Sequence, residues 1–235
     1  MTSHFRPVLA ALALATLIPA AALADAPLRT ITVSGEGTVE VKPDMATLSI
    51  GVRHEAPTAR EAMDLMTAGM GPVMERLVAA GIPQSDIQTG SLGLDPVYDY
   101  SGATPKMTGY AAYTSVTVEV HDLGIVGGVL DAVVSDGANT LGGISFGLAD
   151  PSPAMNEARA DAVADARARA ELYAQAAGVG LGDLVTLSEQ GSYAPAPVMY
   201  DMRMEAAAGA PVPVSGGEVG VTASVTLVYE IGAAD

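Results

Sequence analysis

The chain has 235 residues, and 49% of them are hydrophobic. It has no cysteine or tryptophan, and 27 acidic residues against 11 basic ones, for a net charge of −16. Such a surface repels nucleic acid and anionic lipid and favours solubility. The length suits one large domain or two small ones, enough to bury a stable core without disulfides.

The N-terminus is set aside before any fold argument. His4 and Arg6 form a short basic start, Val8–Ile18 is an apolar run broken at Pro19, and Ala22-Leu23-Ala24 is a small-x-small site. Residues 1–24 therefore read as a secretory signal peptide cut before Asp25. The apolar run is short against the ~20 residues a spanning helix needs. The expectation is an exported, periplasmic chain, residues 25–235, with no transmembrane anchor.

Leu28–Glu36 alternates as a strand, and Gly35-Glu36-Gly37 is expected to turn it, because glycine accepts positive φ cheaply. Val39–His54 is a second strand, interrupted at Pro43-Asp44, where proline predicts a bulge, a bend or an edge. Thr58-Ala-Arg-Glu61 has capping-box spacing and opens a helix to about Ala80, with a kink or break expected at Gly71-Pro72. Met63, Met66, Met70, Val73 and Leu77 form its apolar stripe, beside Met74. Methionine fills core gaps well, so this stripe reads as packing. Asp86–Leu94 with Val97–Tyr100, and Gly109–Val120, form a predicted hairpin around a Gly102–Thr108 loop. Asp122 caps a short helix ending at Gly137, and Leu141–Leu148 is a strand.

Ser152–Gly178 is the longest helix signal, with Ser152 as N-cap, Pro153 at the first helical position and Gly178 as the left-handed stop. Met155, Ala158, Ala162, Ala166, Ala170, Tyr173 and Ala177 share one face, nearly all of it small, which lets the helix lie close on its neighbour. Leu184–Glu189 follows as a strand, 191–215 is a proline- and glycine-rich flexible loop, and Val219–Ile231 is the closing strand. The order ββαββαβαββ predicts an α+β fold: two layers, a mostly antiparallel sheet with helices packed on it.

These residues, taken in order, resemble a known family. The resemblance rests on Ile31-Thr-Val-Ser-Gly35-Glu-Gly37, Pro43-Asp44, Gly81-Ile82 with Ile87-Gln-Thr89, Gly109-Tyr110 and Asp122-Leu123. It continues in Gly137-Ala-Asn139, Gly142-Gly-Ile-Ser-Phe146, Glu157-Ala158 through Ala170, and Gly216. Together they resemble the SIMPL-domain family of bacterial envelope proteins, a domain of unknown function. The resemblance implies an exported, non-enzymatic envelope protein, with some members linked to oxidative stress or known as periplasmic immunogens. It brings no catalytic residues.

Candidate chemistry is sparse. Gly178-Val-Gly180-Leu-Gly182 follows a helix and so fails the context of a dinucleotide loop. His54 and His121 read as strand-end histidines without the companions that zinc needs. Asp44 and Glu36 would form a carboxylate pair only if the first hairpin brought them together. Met199, Met202 and Met204 lie in the polar loop, where soft sulfur ligands suit Cu(I). The reading is a non-enzymatic periplasmic structural or interaction protein, homo-oligomeric and without cofactors, that supports envelope or oxidative-stress tolerance. An unidentified envelope partner is also allowed. A Cu(I) or small-ligand binder using Met199, Met202 and Met204 is the alternative. The sparsely charged strands Ile31–Ser34 and Val221–Tyr229 are the expected edges for self-association.

Overall fold

A computed structural model describes residues 29–190, 196–198 and 214–233. Eight strands and three helices form an α+β fold, in the order expected but with one more strand. The strands are β1 (Thr30–Val41), β2 (Met45–Ala56), β3 (Ile87–Asp99), β4 (Lys106–Val120), β5 (Thr140–Gly147), β6 (Val179–Gln190), β7 (Ala196–Val198) and β8 (Glu218–Ala233). The helices are α1 (Ala59–Ala79), α2 (Val126–Ser135) and α3 (Ser152–Ala177). β7, inside the stretch expected to be loop, is the added strand.

The strands build two sheets, and every pairing is antiparallel. Sheet A has the order β1-β8-β6, with β7 also on β8, and sheet B has the order β3-β4-β2-β5. Each sheet buries one face under helices. Leu48, Ile50 and Val52 of β2 and Val116, Val118 and Val120 of β4 meet Met66, Val73 and Leu77 of α1 and Val126, Val129 and Val133 of α2. In sheet A, Val33 of β1 and Val221, Val225 and Leu227 of β8 meet the alanines of α3.

Pro43 interrupts the strand run as expected, but the break is a change of sheet. β1 ends at Val41 in sheet A and β2 starts at Met45 in sheet B. Asp44 fixes the crossing: its N–H donates to the Gly147 carbonyl (3.1 Å) and its carboxylate accepts from Ala149 N–H (2.8 Å). Pro43 and Phe146 close on Gly216, where a Cβ would stand 2.8 Å from Pro43 Cγ.

The expected turn at Gly35-Glu36-Gly37 does not exist; β1 runs straight through it, in continuous register with β8. The cause is α3. A Cβ on Gly35 would lie 2.2 Å from the Ala162 carbonyl oxygen, and one on Gly37 would lie 2.1 Å from that of Ala158. These glycines let the alanine ridge rest on the bare strand backbone.

α3 begins one residue earlier than expected. Pro151 is the N-cap, and the Asp150 carboxylate accepts from Ser152 N–H (3.0 Å). Its buried row is Ala154, Met155, Ala158, Ala162, Ala166, Ala170 and Ala174, so the expected Tyr173 faces solvent instead. Gly178 closes the helix at φ 67°. α1 passes through Pro72 unbroken. Gly71 removes the Cβ that a proline ring would crowd in a preceding helical residue. Thr58 caps α1 as expected, its hydroxyl accepting from Glu61 N–H (3.3 Å).

Candidate functional site

The structure separates the expected carboxylate pair. Glu36 lies on the exposed face of β1, and Asp44 lies beyond the end of that strand, on the order of 20 Å away at ~3.3 Å per residue. Asp44 serves the sheet crossing. Glu36 offers its backbone N–H to the Asp165 carboxylate (3.0 Å).

Both histidines sit near strand ends. His54, near the end of β2, stands over α1, with its Nε2 3.0 Å from where a Cβ on Gly69 would be. His121 follows β4, with Nε2 3.3 Å from the Asp86 carboxylate. No group of three or more His, Asp or Glu among the described residues is placed to hold a metal ion. Met66 is buried, and Met63, Met70 and Met74 pack against the same core, so the α1 stripe is packing. Met199, Met202 and Met204 lie outside the described residues. Gly178, Gly180 and Gly182 form a helix stop and the start of β6.

The edges expected for association are not available as expected. β8 is central, paired on both sides. β1 is an edge, but α3 closes its middle. Arg169 donates to the Ser34 carbonyl (2.9 Å), Asp165 accepts from Glu36 N–H, and the two side chains pair with each other (2.7 Å). An ion pair one helical turn apart thus occupies the donors and acceptors that another strand would use. On the outer face, Ser34–Thr226 (3.2 Å) and Thr38–Thr222 (3.0 Å) are cross-strand hydroxyl pairs.

Several residues missed as functional in the sequence turn out to be joints. Asn139 imitates a strand residue: its side-chain oxygen accepts from Arg53 N–H (2.8 Å) and its amide donates to the Arg53 carbonyl (2.8 Å). Arg76 of α1 and Asp136 after α2 form a two-point ion pair. The Arg76 hydrogen bond holds the Asp136 carboxyl below its ordinary pKa, and the same bond raises Arg76. Ser101 N–H likewise lowers Asp99, and Ser152 lowers Asp150.

Two of the concavities among the described residues bear on a binding role. A polar hollow of about 270 Å³ on the outer face of sheet B is bounded by Arg53, Ser91, Asp95, Tyr113 and Thr140. Tyr113 lies across Gly93, its ring filling the space of the missing side chain. The larger concavity, about 610 Å³, is an apolar groove between α2 and β5. Leu130, Val134, Leu141, Gly143 and Ile144 line it, and Asp131 and Ser135 stand at its rim. Val134 and Leu141 are half exposed, at 50% and 51%. Apolar surface concentrated in a groove is the usual mark of a binding surface. The groove escaped sequence reading because its walls come from separate elements, each ordinary alone.

Residues 31–229 match the family model SIMPL, described as a protein of unknown function (DUF541). The chain is 40% identical over 211 residues to the 26 kDa periplasmic immunogenic protein of Brucella melitensis, covering 86% of this chain and 84% of that protein. It is 30% identical over 178 residues to the uncharacterized protein YggE of Escherichia coli K12, covering 75% and 72%. The motifs quoted from the sequence fall largely on the joints just described: the α3 seat, the sheet crossing and the Asn139 splice. On this match, and on the architecture that its residues build, the chain belongs to the SIMPL family.

Proposed function

We propose that the chain is a non-enzymatic structural and interaction protein of the periplasm, self-associating, that supports envelope and oxidative-stress tolerance. Residues 1–24 direct its export and are removed after Ala24. The printed name of the Brucella relative supports the compartment. The observation that carries the interaction reading is the state of the sheet edges. Among the described residues β3, β5 and β6 each pair on one side only, and they expose Leu92 and Leu94, Leu141 and Ile144, and Leu184 and Leu187. Unpaired strand edges with exposed apolar side chains are templates for association.

Light scattering on the mature chain tests the assembly. A mass above the monomer, reduced by Leu187→Lys on β6, is expected. A monomer at high micromolar concentration refutes it. Intact-mass analysis of the exported form should begin at Asp25, and retention of Met1 in a membrane fraction refutes the compartment. Deletion of the gene should lower survival under peroxide, and unchanged survival removes the stress role.

A further inference from the structure

We propose that the groove between α2 and β5 docks an extended segment of a partner protein, apolar at alternate positions and carrying a basic residue, which continues sheet B beyond β5. This deepens the interaction reading above by naming a partner chemistry, and it does not depend on self-association.

Three observations converge on the groove. First, among the described residues β5 pairs only with β2, so its outer side presents backbone groups with no strand partner there. Its register with β2 shifts between Ser49 and Ile50, leaving Gly142 as the extra residue. From Gly143 to Gly147 the pairing is regular. That regular segment is where an added strand finds an evenly spaced row of donors and acceptors.

Second, the apolar groove runs along this edge. Leu141 and Ile144 sit opposite Ile50 and Leu48, so they share the helix-side face of sheet B. α2 stands beside them with Leu130 and Val134. Gly143, between Leu141 and Ile144 along the strand, also borders the groove and adds no side chain to it. An edge strand flanked by a helix, with an apolar trough between them, is the geometry of peptide recognition by strand addition. The main chain supplies ladder bonds and alternate side chains enter the trough.

Third, the rim carries one sign of charge. Asp131 has no ion-pair partner among the described residues, and the Ser135 hydroxyl is spent on the Asp131 carbonyl (2.9 Å). An incoming cation is therefore favoured and an anion disfavoured. This choice also separates a foreign segment from a second copy. The free edges β3 and β6 of this chain carry Asp95 and Asp99, and Asp183 and Glu189, with no lysine or arginine in either strand. Such an edge would bring carboxylates towards Asp131.

The test uses the mature full chain and three blocked hexapeptides: Ac-KVTVTK-amide, its acidic counterpart Ac-EVTVTE-amide, and the basic peptide N-methylated at alternate residues. Affinity is read by fluorescence anisotropy, and the contact surface by amide NMR shifts. The basic peptide should bind and shift the amides of Gly143–Gly147. N-methylation should weaken it at least tenfold, because ladder bonds are lost. Val134→Arg, which fills the groove from an exposed helix position, should weaken it at least tenfold with an unchanged melting curve. Asp131→Asn should reduce the preference for the basic over the acidic peptide by about threefold, the scale of one exposed ion pair. If Val134→Arg does not fold, the N-methylated peptide on the unaltered protein decides alone. No binding at millimolar peptide, equal binding of the N-methylated form, or shifts confined to another edge overturns the proposal. So does an oligomer that Val134→Arg dissociates, which would assign the groove to a second copy. Failure of peptide binding with the oligomer intact refutes this groove without touching the assembly reading.

Discussion

Gly35→Ala is the most searching test of how α3 is seated. The added Cβ would stand 2.2 Å from Ala162 O, 2.4 Å from Ala166 N and 2.7 Å from Ala166 Cβ. Ordinary carbon contacts lie near 3.5–4.0 Å, so the helix and strand must part by about 1 Å. A gap of that size forfeits a quarter to a half of each dispersion well along the interface. Overpacking alone costs about 1–3 kcal/mol. Because the clash is with helix backbone and no rotamer relieves it, the upper end applies, about 3 kcal/mol. For a chain of this length that lowers the melting temperature by about 6–12 °C, at roughly 2–4 °C per kcal/mol. Gly128→Ala in α2 is the control. Its Cβ would meet nothing within 4 Å, and replacing a glycine in the first turn of this helix, at ordinary φ, should stabilise by about 0.4–1 kcal/mol. Circular dichroism melts with urea titration read both variants. A Gly35→Ala protein within about 0.5 kcal/mol of the wild type, inside the usual range for surface substitutions, would refute the contact and the seating of α3 with it.

Further outcomes follow from the joints. Ala166→Leu should cost about 1–3 kcal/mol by overpacking the same seat, read by the same melts. Asn139→Ala removes two hydrogen bonds to Arg53 and should cost about 1–3 kcal/mol, read as a lower urea midpoint. Arg76→Met should abolish one component of pH-dependent stability. The Asp136 pKa is lowered in the folded state, so its contribution is present above the unfolded value near ~3.9 and is lost as pH falls through the lowered value. The urea midpoints of wild type and Arg76→Met should therefore differ at pH 6 and converge in strong acid. Asp165→Ala with Arg169→Ala opens the β1 edge and should increase concentration-dependent association, measured by light scattering at fixed ionic strength.

Much of the fold was legible in local pattern. Alternation located the hairpin strands, and Thr58 and Gly178 announced helix ends through capping chemistry that involves only nearby residues. The errors arose where the cause is distant. Gly35 and Gly37 look like a turn because that is glycine's commonest local use. Their actual reason, the backbone of α3, lies more than a hundred residues along the chain. Pro43 was legible as a break, but a change of sheet depends on partners at opposite ends of the sequence. Tyr173 was assigned to the buried face of α3 by a three-residue step, whereas burial follows the four-residue ridge to Ala174. β1 is an edge as expected, but β8 was misassigned for the same reason: its low charge reflects a central strand, not an exposed one. The α2–β5 groove had no signal, since Val134 and Leu141 become neighbours only in three dimensions.

The pairing of β1 with β8 sets a schedule for folding. Thr30 lies opposite Glu230, and the register holds to Val41 opposite Val219, so the first described strand meets the last. Sheet B uses only residues 45–147 and has every partner once β5 has emerged. Sheet A must wait for β8, which also supplies the only pairing of β6 among the described residues. Distant pairing of this kind is slow, because the chain entropy of closing the loop is spent before any contact repays it. While β8 is missing, β1 has no strand on either side among the described residues, and α3 alone is left to cover its alternating Ile31, Val33, Val39 and Val41. Loss of β8 would therefore cost more than a terminal trim: it would leave β1, β6 and β7 without the strand they pair with, and the growing chain passes through that aggregation-prone state each time it is made.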